Sequence, residues 1–522
     1  MTHVTTVDTD SEPGTDRRSV PSAGSQFQTP FADAVLRLRR DERHGEQIVS
    51  FHALPWSQGR SLSESGRLGE KYRLLFGEAF LAAEVAYSGG ALDSYFRPTA
   101  CLDLAQQLAA EAFRANYTFF VTCGTTVANQ VAFDALGGAG RQMLVDRTAH
   151  QSIHVAVGQS PAMVEYAPSS YDLHIAGQPL LDVPQLLKMV AAAAERGQPY
   201  DAVVLAASSY DGVLYNLHQI LSACLEVSPT TAFLVDEAWS AINTFHPKLR
   251  QETALDAAER IASAGTPITL LVTHSAHKSM SAARQGSYLH VVGDPAMIAH
   301  TASILYGRHT TSPSIPILAS LDLARAHAVA DGQRLLQRSL DLVGQVQQAI
   351  ADDPGLTAYR TMPYPVTDPA HRRYFAADPT KVLIDVTGLG LRGDEARTRL
   401  FNDYGIYISL TMPHGFLINL HIGITETEVT RLLDALRSLA RREHGRVIPA
   451  RSDHGAGGDA TVDKLLIAYP PGVPLAVPGE PWSEKLRERL EASRNGGADV
   501  YMLPVGRHHH PGPAATPHEE VS

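Results

Sequence analysis

The sequence is poor in the features that mark secreted, membrane and nucleic-acid-binding proteins. Its 522 residues include three cysteines, Cys101, Cys123 and Cys224, and their wide spacing gives neither a disulfide framework nor a zinc pattern. No apolar run reaches the roughly 18 residues of a membrane span, and residues 1–30 lack the apolar segment of a signal peptide. A net charge of −11 argues against nucleic-acid or anionic-membrane surfaces. We therefore expect a cytoplasmic protein that binds neither.

The two ends of the chain have compositions typical of disordered tails. Residues 1–25 are rich in Thr, Ser, Asp, Gly and Pro, and residues 503–522 include "RHHHPGPAATPHEE". The histidine run at 508–510 could bind a metal weakly, but a proline-rich tail explains it as well. We predict no metal site there.

Between the tails, short apolar runs alternate with amphipathic stretches such as residues 183–196 and 254–264. This alternation predicts an α/β fold with a mostly parallel sheet and helices on both faces. Ligands of such sheets bind beyond the carboxyl ends of the strands. The predicted strands are Tyr117–Thr122, Met143–Asp146, Met163–Tyr166, Ala202–Ala207, Ala232–Val235, Ile268–Thr273 and Ser287–Val292.

After about residue 330 the pattern changes. A long helical pattern at 333–351 is followed by the apolar runs "KVLIDVTGL", "YGIYISL" and "FLINLHIGI" and by a helical pattern at 426–441, which indicate a smaller α+β domain. The run "YPPGVPLAVPGEPW" is too rich in proline for a helix and is expected to be a fixed, extended loop. We predict an amino-terminal segment at 26–95, a large domain at 96–330 and a carboxyl-terminal domain at 331–502.

Two polar clusters follow the first two predicted strands. Thr125 and Thr126 open a helix after Gly124, where free backbone N–H groups and hydroxyls could hold a phosphate, although an ordinary helix cap has the same pattern. His150 comes a few residues after the next strand and could face a ligand or be structural. His154 lies one helical turn further, but no acidic or cysteine ligand accompanies the pair, so zinc is not expected.

Two further clusters follow later strands. Asp236 ends the buried run "FLVD", where a carboxylate needs a cation or a strong donor, and the small Ala238 leaves room for a flat ring. Lys278, in "LVTHSAHKSM", follows a buried strand, where desolvation lowers an amine pKa and favours the nucleophilic neutral form. His274 and His277 could suggest a metal, but the neighbouring hydroxyls suit a phosphate better.

Each of these four clusters has an ordinary structural explanation when taken alone, but the four together indicate one cofactor site. A phosphate seat, a ring-facing histidine, a strand-end aspartate and a strand-end lysine are the groups that pyridoxal 5'-phosphate (PLP) requires. That cofactor binds its lysine as a Schiff base and pairs its ring nitrogen with an acid.

The sequence resembles the prokaryotic ornithine/lysine/arginine decarboxylases, PLP enzymes of the aspartate-aminotransferase-like fold type I. The resemblance spans roughly residues 50–485, and we expect the short form of these enzymes, without the amino-terminal wing domain that some members carry. It implies a seven-stranded large domain and a smaller carboxyl-terminal domain. The matching phrases are "FFVTCGTTVANQ", "VDRTAHQSIH", "SSYDGVLYN", "VDEAWSAINTF", "THSAHKSMSAARQGSYLHV", "TTSPSIPILASLDLAR" and "YPPGVPLAVPGE".

The resemblance implies roles around the cofactor ring. Lys278 would form the Schiff base, and His277 would assist with the phosphate or with proton transfer. Asp236 would pair with the ring nitrogen, while Ala238 and His150 would pack on the two ring faces. Lys278, His150 and His277 are thus the expected catalytic residues.

It also implies roles further from the ring. Thr125, Thr126 and Ser275 would hold the phosphate, and Thr311 or Ser312 would reach the site from a second subunit. The expected assembly is a homodimer with its sites at the interface. A further carboxylate, that of Glu480, would meet the distal cation of an amino-acid substrate.

Several positions depart from the family pattern. The run "FHALPWSQG" at 51–59 stands where the family has a His-x-Pro-Gly-His-Lys-Gly phrase. Cys123 replaces an asparagine, Ala276 replaces a threonine, and Arg284 brings a cation close to the lysine loop. The expected reaction is decarboxylation of lysine, ornithine or arginine to an amine and carbon dioxide.

Other reactions share the same cofactor set. An aminotransferase, an aldolase or an oxidative deaminase in specialised metabolism is the alternative, and a non-catalytic relative is a further one. An aminotransferase would need an arginine for the substrate α-carboxylate, and Arg392 does not stand in a recognisable phrase for that role. A non-catalytic relative would not need Lys278, Asp236 and His150 together.

Overall fold

The computed structural model of the chain describes residues 23–38, 48–62, 64–86, 91–170, 179–362, 369–443, 461–469, 472–495 and 498–504. The predicted tails, with the histidine run at 508–510, lie outside the described residues except for 23–25 and 503–504. Within the described ranges, no helix combines the length and apolar character required to cross a membrane.

The α-helices follow one another along the whole described chain. They are α1 (Pro30–Leu38), α2 (Gly66–Ala83), α3 (Cys101–Phe113), α4 (Gly124–Leu136), α5 (Gln151–Gln159), α6 (Val183–Glu195), α7 (Leu217–Val227), α8 (Ala254–Ser263), α9 (Ala276–Ser279), α10 (Pro295–Arg308), α11 (Ile315–Asp352), α12 (Pro369–Arg372), α13 (Gly393–Tyr404), α14 (Glu426–Glu443) and α15 (Glu484–Asn495).

The strands begin only after α3. They are β1 (Tyr117–Val121), β2 (Gln142–Asp146), β3 (Met163–Ala167), β4 (Ser169–Ser170), β5 (Leu180–Leu181), β6 (Ala202–Ala206), β7 (Val213–Tyr215), β8 (Ala232–Asp236), β9 (Leu270–His274), β10 (Ser287–Val292), β11 (Arg360–Thr361), β12 (Phe375–Ala377), β13 (Lys381–Asp385), β14 (Leu410–Met412), β15 (Gly415–Asn419), β16 (Leu465–Tyr469), β17 (Val473–Ala476) and β18 (Asp499–Leu503).

A seven-stranded sheet forms the centre of the large domain, in the order β1-β10-β9-β8-β6-β2-β3. Strand β10 runs antiparallel to both neighbours, and the remaining pairs are parallel. All seven predicted strands are confirmed. The arrangement is the α/β sheet of fold type I, as the sequence predicted.

The sheet is covered on both faces, which explains why its strands read as continuous apolar runs. Successive side chains point to opposite faces: Phe119 and Val121 join the core beneath α4, α5 and α10, while Phe120 joins the core beneath α3, α7 and α11. This double burial fixes the register, because a slip by one residue would exchange the two faces.

The amino-terminal segment begins as part of the large domain. Asp322 of α11 accepts hydrogen bonds from the backbone N–H groups of Phe31 (2.9 Å) and Ala32 (3.3 Å). The fully buried Arg325 pairs with Asp322 at 2.9 Å and donates to backbone carbonyls just before α1. The ion pair and these backbone contacts offset the cost of burying the charge, although the Nε of Arg325 has no hydrogen-bond partner among the described residues.

The predicted boundary between residues 330 and 331 falls inside α11. The helix runs unbroken from Ile315 to Asp352, so the predicted pattern at 333–351 is only its second half. Gly332 sits within it because a Cβ there would lie 2.9 Å from the Cβ of Phe245. The glycine allows close packing and does not end the helix.

The carboxyl-terminal region contains two small sheets. The first has the order β11-β13-β15-β14 and packs against α13, α14 and the second half of α11. The run "YGIYISL" shares only its last residue, Leu410, with a strand, because β14 begins there, so the predicted strand is displaced toward the carboxyl end. The second sheet, β17-β16-β18, includes β17 from the proline-rich run, so the predicted loop is partly a strand.

Candidate active site

A cleft of about 860 Å³ opens beyond the carboxyl ends of the central strands. This is the edge at which an α/β sheet binds ligands. Eight predicted residues line it together, although they come from four separate segments of the chain: Thr125, Thr126, His150, Asp236, Ala238, Ser275, His277 and Lys278.

Lys278 lies on the short helix α9, which starts two residues after β9 ends. Burial is the main cause that lowers its pKa, and the nearby Lys381 lowers it further, while Asp236 opposes them. Its Nζ lies 4.3 Å from the centre of the Trp239 ring. The geometry therefore keeps a lysine amine next to an aromatic face, and burial makes its neutral form easier to reach than in a free lysine.

Asp236, at the end of β8, is held by two donors. The Nδ2 of Asn129 donates to its Oδ2 at 2.7 Å, and the backbone N–H of Ala238 donates to its Oδ1 at 3.1 Å. Asn129 in turn accepts from the Thr273 hydroxyl at 2.6 Å. The carboxylate is thereby oriented while it still lines the cleft.

His150 is the N-cap of α5. Its Nδ1 accepts from the backbone N–H of Ser152 at 3.2 Å, as a capping side chain does. Burial is the main cause that lowers its pKa to about 4; the Lys278 cation acts in the same direction and Asp236 opposes it. A Cβ on Gly472 would lie 3.0 Å from the His150 Nε2, so glycine is required at this close approach.

The hydroxyl end of the cleft lies at the start of α4. Thr125 hydrogen-bonds to Ser275 at 2.5 Å and to Ser287 at 2.9 Å, while Thr126 is exposed. Gly124 has φ +75° and donates to the carbonyl of Gln285, whose φ is also positive at 72°. The lysine loop is thus held against a helix N-terminus, where anions bind well.

His277 faces this end as well. Its Nδ1 lies 3.1 Å from the carbonyl of Gly286, so this nitrogen carries the proton and donates. Burial lowers the His277 pKa most, and the cations of Lys278 and Arg284 lower it further, against the hydrogen bond to Gly286. Arg284 also lines the cleft and supplies a positive charge there.

Three predicted site residues are not brought into the cleft of this chain. Thr311 and Ser312 are exposed in the loop between α10 and α11. Glu480 instead forms a two-pronged ion pair with Arg147, at 2.6 Å to Nε and 2.8 Å to Nη2. Arg147 also donates to two carbonyls of β17, so this pair fastens the second small sheet to the large domain.

The two histidine pairs that could have suggested a metal, His150 with His154 and His274 with His277, do not form metal sites, because His154 and His274 bond to other groups. The Nε2 of His154 donates to the carbonyl of Ala149 at 3.0 Å, and its Nδ1 accepts from the hydroxyl of Tyr166 at 3.2 Å. His274 is fully buried and contacts Glu237 at 3.0 Å and His290 at 2.9 Å. Within the described parts of the chain, no group of three or more His, Cys, Asp or Glu side chains could hold a metal.

Four residues of the site were missed. Trp239 and Tyr210 line the cleft with rings 5.2 Å apart, and Lys381 lies with its Nζ 5.1 Å from the Trp239 ring centre. Asn129 holds Asp236. A buried lysine at the start of a strand was the available signal for Lys381, and a polar residue one turn after Thr125 was the signal for Asn129.

The cleft fits PLP by the chemistry of its groups. It offers an amine whose pKa is lowered by burial, an oriented carboxylate, an imidazole, and hydroxyls beside a helix N-terminus. PLP needs an amine for its aldehyde, an acid for its ring nitrogen and donors for its phosphate. The fold and the site together define a PLP-dependent enzyme of fold type I.

The family is shown by sequence comparison. Residues 30–399 match the family model "Orn/Lys/Arg decarboxylase, major domain". The chain belongs to this family and is a PLP-dependent lyase. An arginine decarboxylase of Bacillus anthracis is 27% identical over 509 residues, covering 90% of this chain and 94% of that enzyme. The constitutive lysine decarboxylase of Escherichia coli K12 is 27% identical over 449 residues, covering 79% and 60%.

Structural comparison shows the same fold. The solved structure of the Escherichia coli constitutive lysine decarboxylase superposes with a TM-score of 0.72 at 20% identity. The superposition covers 91% of this chain and 80% of that one. The expected fold class is confirmed.

Proposed function

We propose that this enzyme removes the α-carboxylate of a basic amino acid (lysine, ornithine or arginine) as carbon dioxide. The observation that carries the proposal is the convergence of Lys278, Asp236 and His150 on one cleft in a chain of this family. When bound, PLP supplies an electron sink for the bonds at the substrate α-carbon. The chain's own residues orient the reactants and manage the protons.

The positions of the side chains around the cleft support the following cofactor contacts. Lys278 would bind the aldehyde carbon, and Asp236 would accept from the protonated ring nitrogen. Ala238 and His150 would contact the two ring faces. The phosphate would lie at the start of α4 beside Thr126 and Ser275, where backbone N–H groups and hydroxyls donate to it.

Proton transfer is proposed to involve two neighbouring groups. Because the pKa of Lys278 is lowered, its amine is available to accept a proton when the substrate amine arrives and to return one afterwards. The Nε2 of His277 is free of the Gly286 contact, which involves Nδ1. The Arg284 cation lies at the same cleft and favours an anionic group there.

Recognition of the distal cation is proposed to involve a second subunit. Asp236 is the one carboxylate among the described residues that line the cleft, and we assign it to the cofactor. Glu480 is engaged by Arg147, so it would meet a substrate cation only if that pair opened. An acidic group from a partner chain would bind the distal cation without breaking the ion pair between Arg147 and Glu480.

The surface of α2 supports a homodimer. Leu74 and Leu75 are 80% and 77% exposed, and Trp56 stacks edge-on against Phe76 of the same helix at 5.4 Å. A contiguous apolar and aromatic surface of this kind marks a protein interface. Thr311 and Ser312 are also exposed, as residues that enter a partner's site must be.

The reaction is tested by incubating the purified enzyme and PLP with lysine, ornithine and arginine separately, in air, and identifying the products by mass spectrometry. Loss of carbon dioxide to give a diamine or agmatine supports the proposal and names the substrate. A keto acid would indicate oxidative deamination or transamination instead. An unchanged substrate with bound cofactor would refute decarboxylation of these three.

The dimer is tested separately by light scattering with size-exclusion chromatography. A double change of Leu74→Lys and Leu75→Lys should shift the mass from dimer to monomer. A wild-type monomer would contradict the proposed assembly. We also propose a reducing, cytoplasmic location, because the three cysteines are free thiols.

A further inference from the structure

A buried hydrogen-bond chain links Asp236, assigned to the cofactor ring nitrogen, with His150, assigned to one face of the ring. Asn129 donates from Nδ2 to Asp236 at 2.7 Å and to the Ser152 hydroxyl at 2.9 Å. The Ser152 hydroxyl lies 2.9 Å from the Nδ1 of His150. Asn129 and Ser152 are both 1% exposed, so water does not compete for these contacts.

The direction of every hydrogen bond in this chain is determined. The Asp236 carboxylate accepts, so the Asn129 group that faces it must be the NH2. The Thr273 hydroxyl donates to the other end of the same amide, the Oδ1 of Asn129, at 2.6 Å. Because Asn129 donates to the Ser152 oxygen, the Ser152 hydroxyl hydrogen is directed to His150. The backbone N–H of Ser152 also donates to the same Nδ1 at 3.2 Å.

The Nδ1 of His150 therefore faces two donors and has no room for a proton of its own. We propose that Asn129 and Ser152 are positioning residues that hold His150 as the neutral tautomer protonated at Nε2. The same chain orients Asp236, so the groups on the ring nitrogen and on one ring face are set by a single network. His150 consequently presents an N–H donor on its Nε2 side.

Other charged groups surround His150 and act on its titration. Asp236 on β8 favours its protonation, whereas Lys278 on α9 disfavours it, and His154 lies one turn along α5. None of these three groups is a hydrogen-bond partner of Ser152, whose contacts are with Asn129 and His150. The serine contribution can therefore be isolated by substitution.

The meaning of this tautomer for catalysis rests on the proposed function, but the hydrogen-bond directions do not. Nitrogen-15 NMR of the histidine-labelled apoenzyme, with the His150 signal assigned from a His150→Gln sample, should show Nε2 protonated and Nδ1 unprotonated. A protonated Nδ1 in the wild-type protein would overturn the inference whether or not the enzyme decarboxylates anything.

Hydrogen exchange at the imidazole C2 position, read by mass spectrometry, gives the titration of His150 in variants. Ser152→Ala should make His150 about five to ten times easier to protonate, because one neutral hydrogen bond to Nδ1 is lost. Ser152→Thr keeps the hydroxyl and should titrate as the wild type does. Equal titration of Ser152→Ala and wild type, or an equal shift in Ser152→Thr, would refute the role of the hydroxyl.

A variant of Asn129 tests whether the chain is one unit. Asn129→Leu should alter both the His150 titration and the visible absorbance of the bound cofactor, which reports the ring nitrogen that Asp236 contacts. Ser152→Ala should alter the titration alone. If Asn129→Leu leaves either signal at its wild-type value, the two contacts are independent and the proposed coupling is wrong.

Discussion

Glu480→Gln separates a structural role of this carboxylate from the substrate role that the sequence suggested. In the structure, both carboxylate oxygens accept from Arg147, which is 7% exposed at its side chain while Glu480 is 37% exposed. The change keeps the shape of the side chain. It removes the negative charge that balances a nearly buried cation.

The expected loss of stability follows from the two hydrogen bonds. A hydrogen bond to a charged group is worth about 1.5–3 kcal/mol and a neutral one about 0.5–1.5 kcal/mol. The partial exposure of Glu480 reduces the difference, since solvent screens an exposed pair. We therefore expect Glu480→Gln to cost about 1–2 kcal/mol, and Arg147→Leu to cost more, because it leaves the carboxylate and two carbonyls without this donor.

Urea unfolding of the holoenzyme measures this loss, and steady-state kinetics on the same samples measures KM. Glu488→Gln, which removes an exposed carboxylate on α15, is the matched control and should behave as the wild type does. We predict a lower unfolding midpoint for Glu480→Gln with KM changed less than twofold. A KM raised tenfold or more at unchanged stability would refute the structural role and show instead that Glu480 binds the substrate.

Three further predictions follow from individual side chains. Burial lowers the pKa of Lys278 most and Lys381 lowers it further, so Lys381→Met should move the acidic limb of PLP recombination with the apoenzyme to higher pH; Lys381→Arg should not, and an unmoved limb in Lys381→Met would contradict this. Burial lowers the pKa of His154 to about 3, so the unfolded chain takes up a proton that the folded one refuses, and stability should fall as the pH drops from 6.5 toward 3; His154→Gln should reduce that slope by up to about 1.4 kcal/mol per pH unit, and an identical slope would refute it. Gly332→Ala should destabilise by about 1–3 kcal/mol because its Cβ meets a phenylalanine at 2.9 Å, whereas Gly344→Ala on the same helix meets nothing within 4 Å and should stabilise by up to about 1 kcal/mol in thermal melts; the reverse order would show that propensity outweighs packing.

The central sheet was predictable because its strands are buried on both faces. Runs such as "FLVD" have no polar position inside the strand, and they end where a polar side chain enters the cleft. The position of Asp236 and Lys278 beyond strand ends follows from the same pattern. Local sequence was therefore sufficient for the sheet and for the main groups of the site.

Features that depend on contacts between distant segments were not predictable. The first half of α11 contains Gly332, and a glycine is needed there because Phe245 from another segment packs against that position. Glu480 has an acidic side chain in a family phrase, but its partner Arg147 lies 333 positions away. The contact of Lys381 with Trp239 joins two domains in the same way.

The most direct test of the central claim is to locate the cofactor on the chain. The holoenzyme is reduced with borohydride, digested, and its lysine peptides are examined by mass spectrometry. We predict a pyridoxyl group on Lys278, absent from Lys278→Ala, which should also lose the visible absorbance of the lysine-bound cofactor. A pyridoxyl group on Lys381, or an active enzyme with no modified lysine at 278, would contradict the account.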